Sequence, residues 1–170
     1  MAERKEAEIS AETSSPLDTT GWDTRIRALY DYWRARCRGD RLPGRADIDP
    51  LDLPRLLRWL WLVDIVRDPL RFRARLMGTE HVIAMGHDPT GEWLDIAFPH
   101  FLGSANYQDY VTVAEGRPSY RKGPPTYHID KQHVVLERIM LPLAADGIRV
   151  DMILAITVYL RSSDVSSGKA

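Results

Sequence analysis

The chain has 170 residues, 44% of them apolar and 28% charged, with a formal net charge of −1. That size and composition describe one globular domain with a real core, and the near-neutral charge removes the main ground for non-specific nucleic-acid binding. A single cysteine, Cys37, excludes an internal disulfide and a cysteine-rich zinc site, which makes a reducing cytoplasm the expected compartment; no apolar run reaches the ~20 residues of a membrane span.

Residues 1–20 lack an apolar h-region and read as a disordered, acidic leader. Trp22, Ile26, Leu29, Tyr30, Trp33 and Cys37 then fall on one arc at helical spacing, so a helix is expected from Trp22 to Arg38, ended by Gly39. LPGRADIDPLDLP is a loop, and Pro54 is placed to open a short helix, PRLLRW. WLWLVDIV reads as an apolar strand, which Arg67-Asp68-Pro69 turns into RFRARLM. There Phe72, Ala74 and Leu76 point to the core while Arg71, Arg73 and Arg75 point away. EHVIAMGH makes a turn or two of helix, and Asp88-Pro89-Thr90-Gly91 suits a type I turn. Tyr107, Tyr110, Val111 and Ala114 mark a longer helix with Ser104 as its cap and Gly116 as its stop. A Pro-broken segment to Tyr127 follows, then HVVLERIMLPL and RVDMILAITVYL as a hairpin around Asp146-Gly147. Residues 161–170 read as a second disordered tail, which leaves 21–160 as the folded domain.

The arginine stripe is explained by strand pleat: it is a sheet face that solvent or a partner covers. Five histidines raise the question of a metal or haem. His81 and His87 have no standard ligand spacing, and His128 and His133 point to opposite faces of a regular strand. No HExxH or Cys/His pair is present, so each histidine is expected on the surface or in a local hydrogen bond. Hydrolytic motifs are missing too: there is no GxSxG and no P-loop. His128 and Asp130 share a face without a positioned nucleophile, so no enzymatic activity is expected.

The element order is helix, two strands, short helices, one longer helix and three strands. With LPGRADIDPLDLPRLL, RFRARLMGT, GHDPTG and LPLAADG, the chain resembles the alphaproteobacterial family of single-domain PAS proteins from about Trp22 to Tyr159. The resemblance implies an α+β PAS fold: a five-stranded antiparallel sheet with helices on one face, plus an extra N-terminal helix. Ala74 stands where an aromatic is expected in this strand, which opens space beside the core unless a neighbour fills it. PAS domains bind small ligands or partner proteins between helices and sheet and pass on a conformational change. Haem-binding relatives carry an axial histidine on the long helix, where residues 104–115 hold none. Flavin-binding relatives need an Asn-Cys-Arg type motif on the helical side, far from Cys37. No cofactor is therefore expected.

What the resemblance implies for this chain is a non-enzymatic sensory or regulatory module. It would bind a small apolar or amphipathic ligand and signal in trans through a protein partner; the alternative is a ligand-free interaction or scaffold domain. The expected ligand site comprises Phe72, Met85, Trp93, Tyr107, Tyr110, Val111, Arg138, Met140 and Met152. Arg138 or His133 would serve as a polar group if its strand faces inward, and Tyr110 should approach Met152 across the helix–sheet interface. A homodimer is expected through Trp22, Ile26, Leu29, Tyr30 and Trp33, because a sheet face carrying Arg71, Arg73 and Arg75 suits that apolar stripe poorly. Neither nucleic acid nor membrane is an expected partner.

Overall fold

A computed structural model describes residues 16–125 and 134–161. His128, Asp130 and His133, and the readings made for the far ends of the chain, lie outside the described residues. The first helix, α1 (Thr24–Arg34), is shorter than its apolar arc at both ends. Asp23 caps its start, its side chain accepting from the Arg25 N–H at 2.8 Å, and beyond Ala35 the chain turns so that Arg38 and Arg41 pair backbone to backbone. The segment from Pro54 to Trp59 forms turns rather than the expected short helix. Strands β1 (Leu60–Val66) and β2 (Arg71–Met77) form the expected hairpin. Three helices follow: α2 (Thr79–Met85), α3 (Leu94–Ala97) and α4 (Ala105–Ala114). Ser104 caps α4, accepting from the Tyr107 N–H at 3.0 Å. Strands β3 (Ser119–Gly123), β4 (Val134–Leu143) and β5 (Met152–Arg161) complete an antiparallel sheet of order β2-β1-β5-β4-β3. Asp146 closes the β4–β5 turn through the backbone N–H groups of Ile148 and Arg149, both at 2.8 Å.

The two sheet faces hold separate cores. The inner face packs Trp61, Val63, Phe72, Ala74, Met140, Ile153 and Ala155 against Leu94, Phe101, Tyr110 and Val113 from the α3–α4 side. The outer face packs Leu60, Leu62, Ile139, Leu141, Leu143, Leu154 and Ile156 against α1. This corrects the expected dimer interface. Ile26, Leu29, Tyr30 and Trp33 are at most 3% exposed within the single chain, and Trp22 stacks on Tyr120 at 4.1 Å. The arginines belong to one edge strand, whereas the outer face over β1, β5 and β4 is apolar and covers the stripe. A dimer built on these residues would first have to strip α1 from its own sheet.

A β-bulge makes the second correction. Leu62 pairs with Leu76 but Val63 pairs with Ala74, which leaves Arg75 as the extra residue. Beyond it the pleat reverses: Leu76 is 47% exposed and Met77 turns inward. Arg71 and Arg73 bind α3 and the loop before it. Arg71 donates to Asp95 and stacks over Trp93 at 4.1 Å, and Arg73 donates to the Gly91 carbonyl. The same loop covers the open edge of β2, with Ala74 N–H donating to Glu92 O at 2.9 Å and Gly91 N–H to Ala74 O at 2.7 Å.

Candidate ligand-binding site

Between the inner sheet face and α2–α4 lies a cavity of about 310 Å³. Its walls are largely apolar: Trp61 and Met77 from the first hairpin, Met85 from α2, Leu94 and Phe101 around α3, Tyr110 from α4 and Leu136 from β4. Pro99 and His100 are exposed and form its rim. The polar end is built by strands β1, β4 and β5 and helices α2 and α4, with β3 alongside. Arg138 on β4 reaches α4, where its two terminal nitrogens donate to Asn106 Oδ1 and Asp109 Oδ2, each at 2.5 Å. Asn106 and Asp109 are one helical turn apart and so share a face of α4. Arg121 on β3 is the cross-strand neighbour of Arg138. Trp61 donates its indole N–H to Thr157 Oγ1 at 2.9 Å, and its ring stacks with His81 at 5.4 Å.

His81 was expected at the surface or in a local contact; it is 7% exposed and its Nδ1 pairs with the Tyr159 hydroxyl at 2.8 Å, 78 residues away. Burial foremost, and then the positive charge of Arg138, pulls its pKa down to about 3. An unfolded imidazole takes its proton near 6.5, so below that pH the unfolded state binds the proton that the folded state refuses. Stability is therefore lost as pH falls from 6.5 towards the folded value. Between pH 7 and pH 5 the loss due to His81 alone comes to about 2 kcal/mol. Urea unfolding of wild type and His81→Gln at both pH values should show the variant losing less by that amount. Parallel losses in the two proteins would show that His81 is not held neutral by its burial.

Of the other expected site residues, Met85, Tyr110 and Arg138 stand in the cavity wall. Phe72 is 1% exposed behind it, edge-on to Tyr110 at 5.2 Å, and Tyr107 and Phe101 complete that aromatic cluster. Met140 is fully buried in the inner core, and Val111 is half-buried on α4. Trp93 sits outside, under the Arg71 guanidinium, because its segment lines the β2 edge. Met152 is the clear misplacement: it faces α1 on the outer side and cannot meet Tyr110, because its strand partner Asp64 lies on that same face. Trp61, Met77, His81, Asn106 and Thr157 are wall residues that the sequence reading passed over. Alternation along β5 puts Thr157 on the face of Ala155, so its signal was present once the inward phase of that strand was known.

Cys37 packs with the outer core, across the sheet from the cavity, and burial pushes its thiol pKa up. Among the described residues no group of three or more His, Cys, Asp or Glu side chains is placed to hold a metal ion. None of the described helices is long and apolar enough to cross a membrane.

A five-stranded antiparallel sheet of this order, roofed by short helices over a cavity, defines a domain of the PAS class. A PAS domain family model matches residues 23–157, most of the chain, and the protein belongs to that family. Among solved structures it is similar to a Rhodobacter sphaeroides LOV protein, at 14% identity and a TM-score of 0.47, over 70% of this chain and 72% of that one. It is also similar to a sensory box sensor histidine kinase from Vibrio cholerae, at 14% identity and a TM-score of 0.43, over 66% and 91% of the two chains. An RNA-binding Light-Oxygen-Voltage receptor is 14% identical with a TM-score of 0.44, over 73% of this chain and 36% of that one. No curated protein sequence matches the chain.

Proposed function

We propose that this PAS domain is a non-enzymatic cytoplasmic sensor that binds a small apolar or amphipathic ligand in its cavity and signals through a protein partner. One observation carries the reading: a space of about 310 Å³ with apolar walls and a few convergent polar groups, Arg138, His81 and Thr157 among them. That is the usual make-up of a small-molecule site, at the small end of the range. The polar groups are tied up as binding groups rather than as a reacting pair, since His81 Nδ1 pairs with a phenol and Arg138 with an amide and a carboxylate.

A route for the signal is supported by the pleat of β4. Arg138 faces the cavity, and its neighbour Glu137 faces outward, fully buried, accepting the backbone N–H of Asp23 at 2.7 Å. Lys122 Nζ lies 3.2 Å from the second carboxylate oxygen, an ion-pair contact without hydrogen-bond geometry. Movement of β4 on ligation is thereby felt at the start of α1, the element best placed to present a change to a partner.

Calorimetry with 1-octanol, octanoate and indole tests the reading on wild type and on Leu136→Trp, which fills the cavity. At least one probe is expected to bind wild type and to lose tenfold or more in the variant. Binding that the tryptophan leaves unchanged, or no binding of any probe, would overturn it.

A further inference from the structure

We propose that the cavity selects a small apolar carboxylate, its head group held by Arg138; the inference deepens the sensory reading and rests on it. The polar end of the cavity is rich in donors and poor in acceptors. A guanidinium has five N–H donors; Asn106 and Asp109 take one from each terminal nitrogen of Arg138, which leaves each a second N–H, while Nε is buried without a hydrogen-bond partner. Asn106 accepts through Oδ1, and its NH₂ group finds no acceptor among the described residues. Thr157 Oγ1 accepts the Trp61 indole, which leaves its hydroxyl proton to donate. A ligand head that completes this set must accept hydrogen bonds, which rules against an amine.

Charge decides between a carboxylate and a neutral carbonyl. The Arg138 side chain is 6% exposed, while that of Asp109, its one acidic partner among the described residues, is 30% exposed. Water therefore screens the carboxylate more than the cation, and the buried cation is incompletely compensated. The Arg138 charge reaches His81, where it adds to burial in keeping the imidazole neutral. A carboxylate entering beside Arg138 gains charge-assisted hydrogen bonds inside a pocket whose walls are largely apolar. Its apolar body then lies against Trp61, Leu94, Phe101 and Leu136.

The test compares octanoate, 1-octanol and octylamine on the full chain at pH 7.5 by calorimetry. Wild type is expected to bind octanoate at least tenfold more tightly than 1-octanol, and octylamine more weakly than either. Arg138→Met should bring octanoate down to the level of 1-octanol, with 1-octanol itself changed less than threefold. Asp109→Asn, which frees the guanidinium from its carboxylate, should tighten octanoate threefold or more and leave 1-octanol alone. Should Arg138→Met not fold, the wild-type ranking and Asp109→Asn decide. If 1-octanol binds as well as octanoate and Leu136→Trp abolishes both, the cavity reading stands and the carboxylate falls. If none of the three binds wild type, the carboxylate falls, and the cavity reading falls with it when indole does not bind either.

Discussion

Trp33→Ala is expected to lower the unfolding free energy by about 3–5 kcal/mol, the range for deleting a large aromatic from a closed core. Trp33 is 1% exposed between α1 and the outer sheet face, and its ring stacks with Tyr30 at 6.0 Å. Its indole N–H donates to the Pro142 carbonyl at 2.9 Å, so the alanine also orphans a buried acceptor. Little can move in to fill the space, because Ile26, Leu29, Leu141 and Leu143 are already fully buried. Urea unfolding followed by circular dichroism measures the loss. A change below 1 kcal/mol would mean that α1 is not docked on its own sheet, and would return the apolar stripe to a second copy of the chain.

Gly78→Ala should be comparably severe, at about 3 kcal/mol or more, and it should also abolish binding in the cavity. The backbone at Gly78 has φ −65° and ψ 149°, a conformation open to any residue, so the obstacle is space. An added Cβ would lie 2.5 Å from the Arg58 carbonyl oxygen and 2.6 Å from that of Leu60. Both are backbone atoms of the segment entering β1, and neither can rotate away as a side chain would. Gly78 also donates its N–H to Leu60 O at 2.7 Å, and Glu80 donates to Arg58 O at 2.8 Å. Relief of the clash therefore pulls α2 off the sheet and takes His81 and Met85 out of the cavity wall. Overpacking normally costs about 1–3 kcal/mol, and the loss of these hydrogen bonds takes Gly78 to the top of that range or beyond. Stability within 1 kcal/mol of wild type, with octanoate or 1-octanol binding intact, would rule out this close approach.

Part of the site was legible before the structure. Tyr110 and Met85 were readable because each sits on the apolar arc of a helix whose ends are marked by local residues, such as Ser104 before α4 and Gly86 after α2. Arg138 was readable only conditionally, since its value depended on which way β4 faced. His81 was not readable at all: a lone histidine on a seven-residue helix carries no sign of a tyrosine 78 positions later. Trp93 and Met152 went the other way, apolar residues whose surroundings are set by a loop folding back on β2 and by the phase of β5.

The sequence by itself determined the elements whose causes lie within a few residues. Asp23 and Ser104 cap helices through their own neighbours' N–H groups, Asp146 closes a turn on Ile148 and Arg149, and the polar phase of Arg71 and Arg73 orients the start of β2. Only the tertiary structure decided which face of the central strands looks at which layer. Ile139 and Met140 are both fully buried, as are Ile153 and Ala155, because helices cover both faces of the sheet. A strand apolar on both sides keeps its period of two residues but loses the polar phase that would tell inside from outside. The bulge at Arg75 then reverses the one strand whose phase was clear, by a pairing choice made with Leu62 and Val63 across the hairpin. That is why the elements and their order could be read from the pattern, while the Met77, Trp61, Thr157 and Arg138 side of the cavity required the packed sheet.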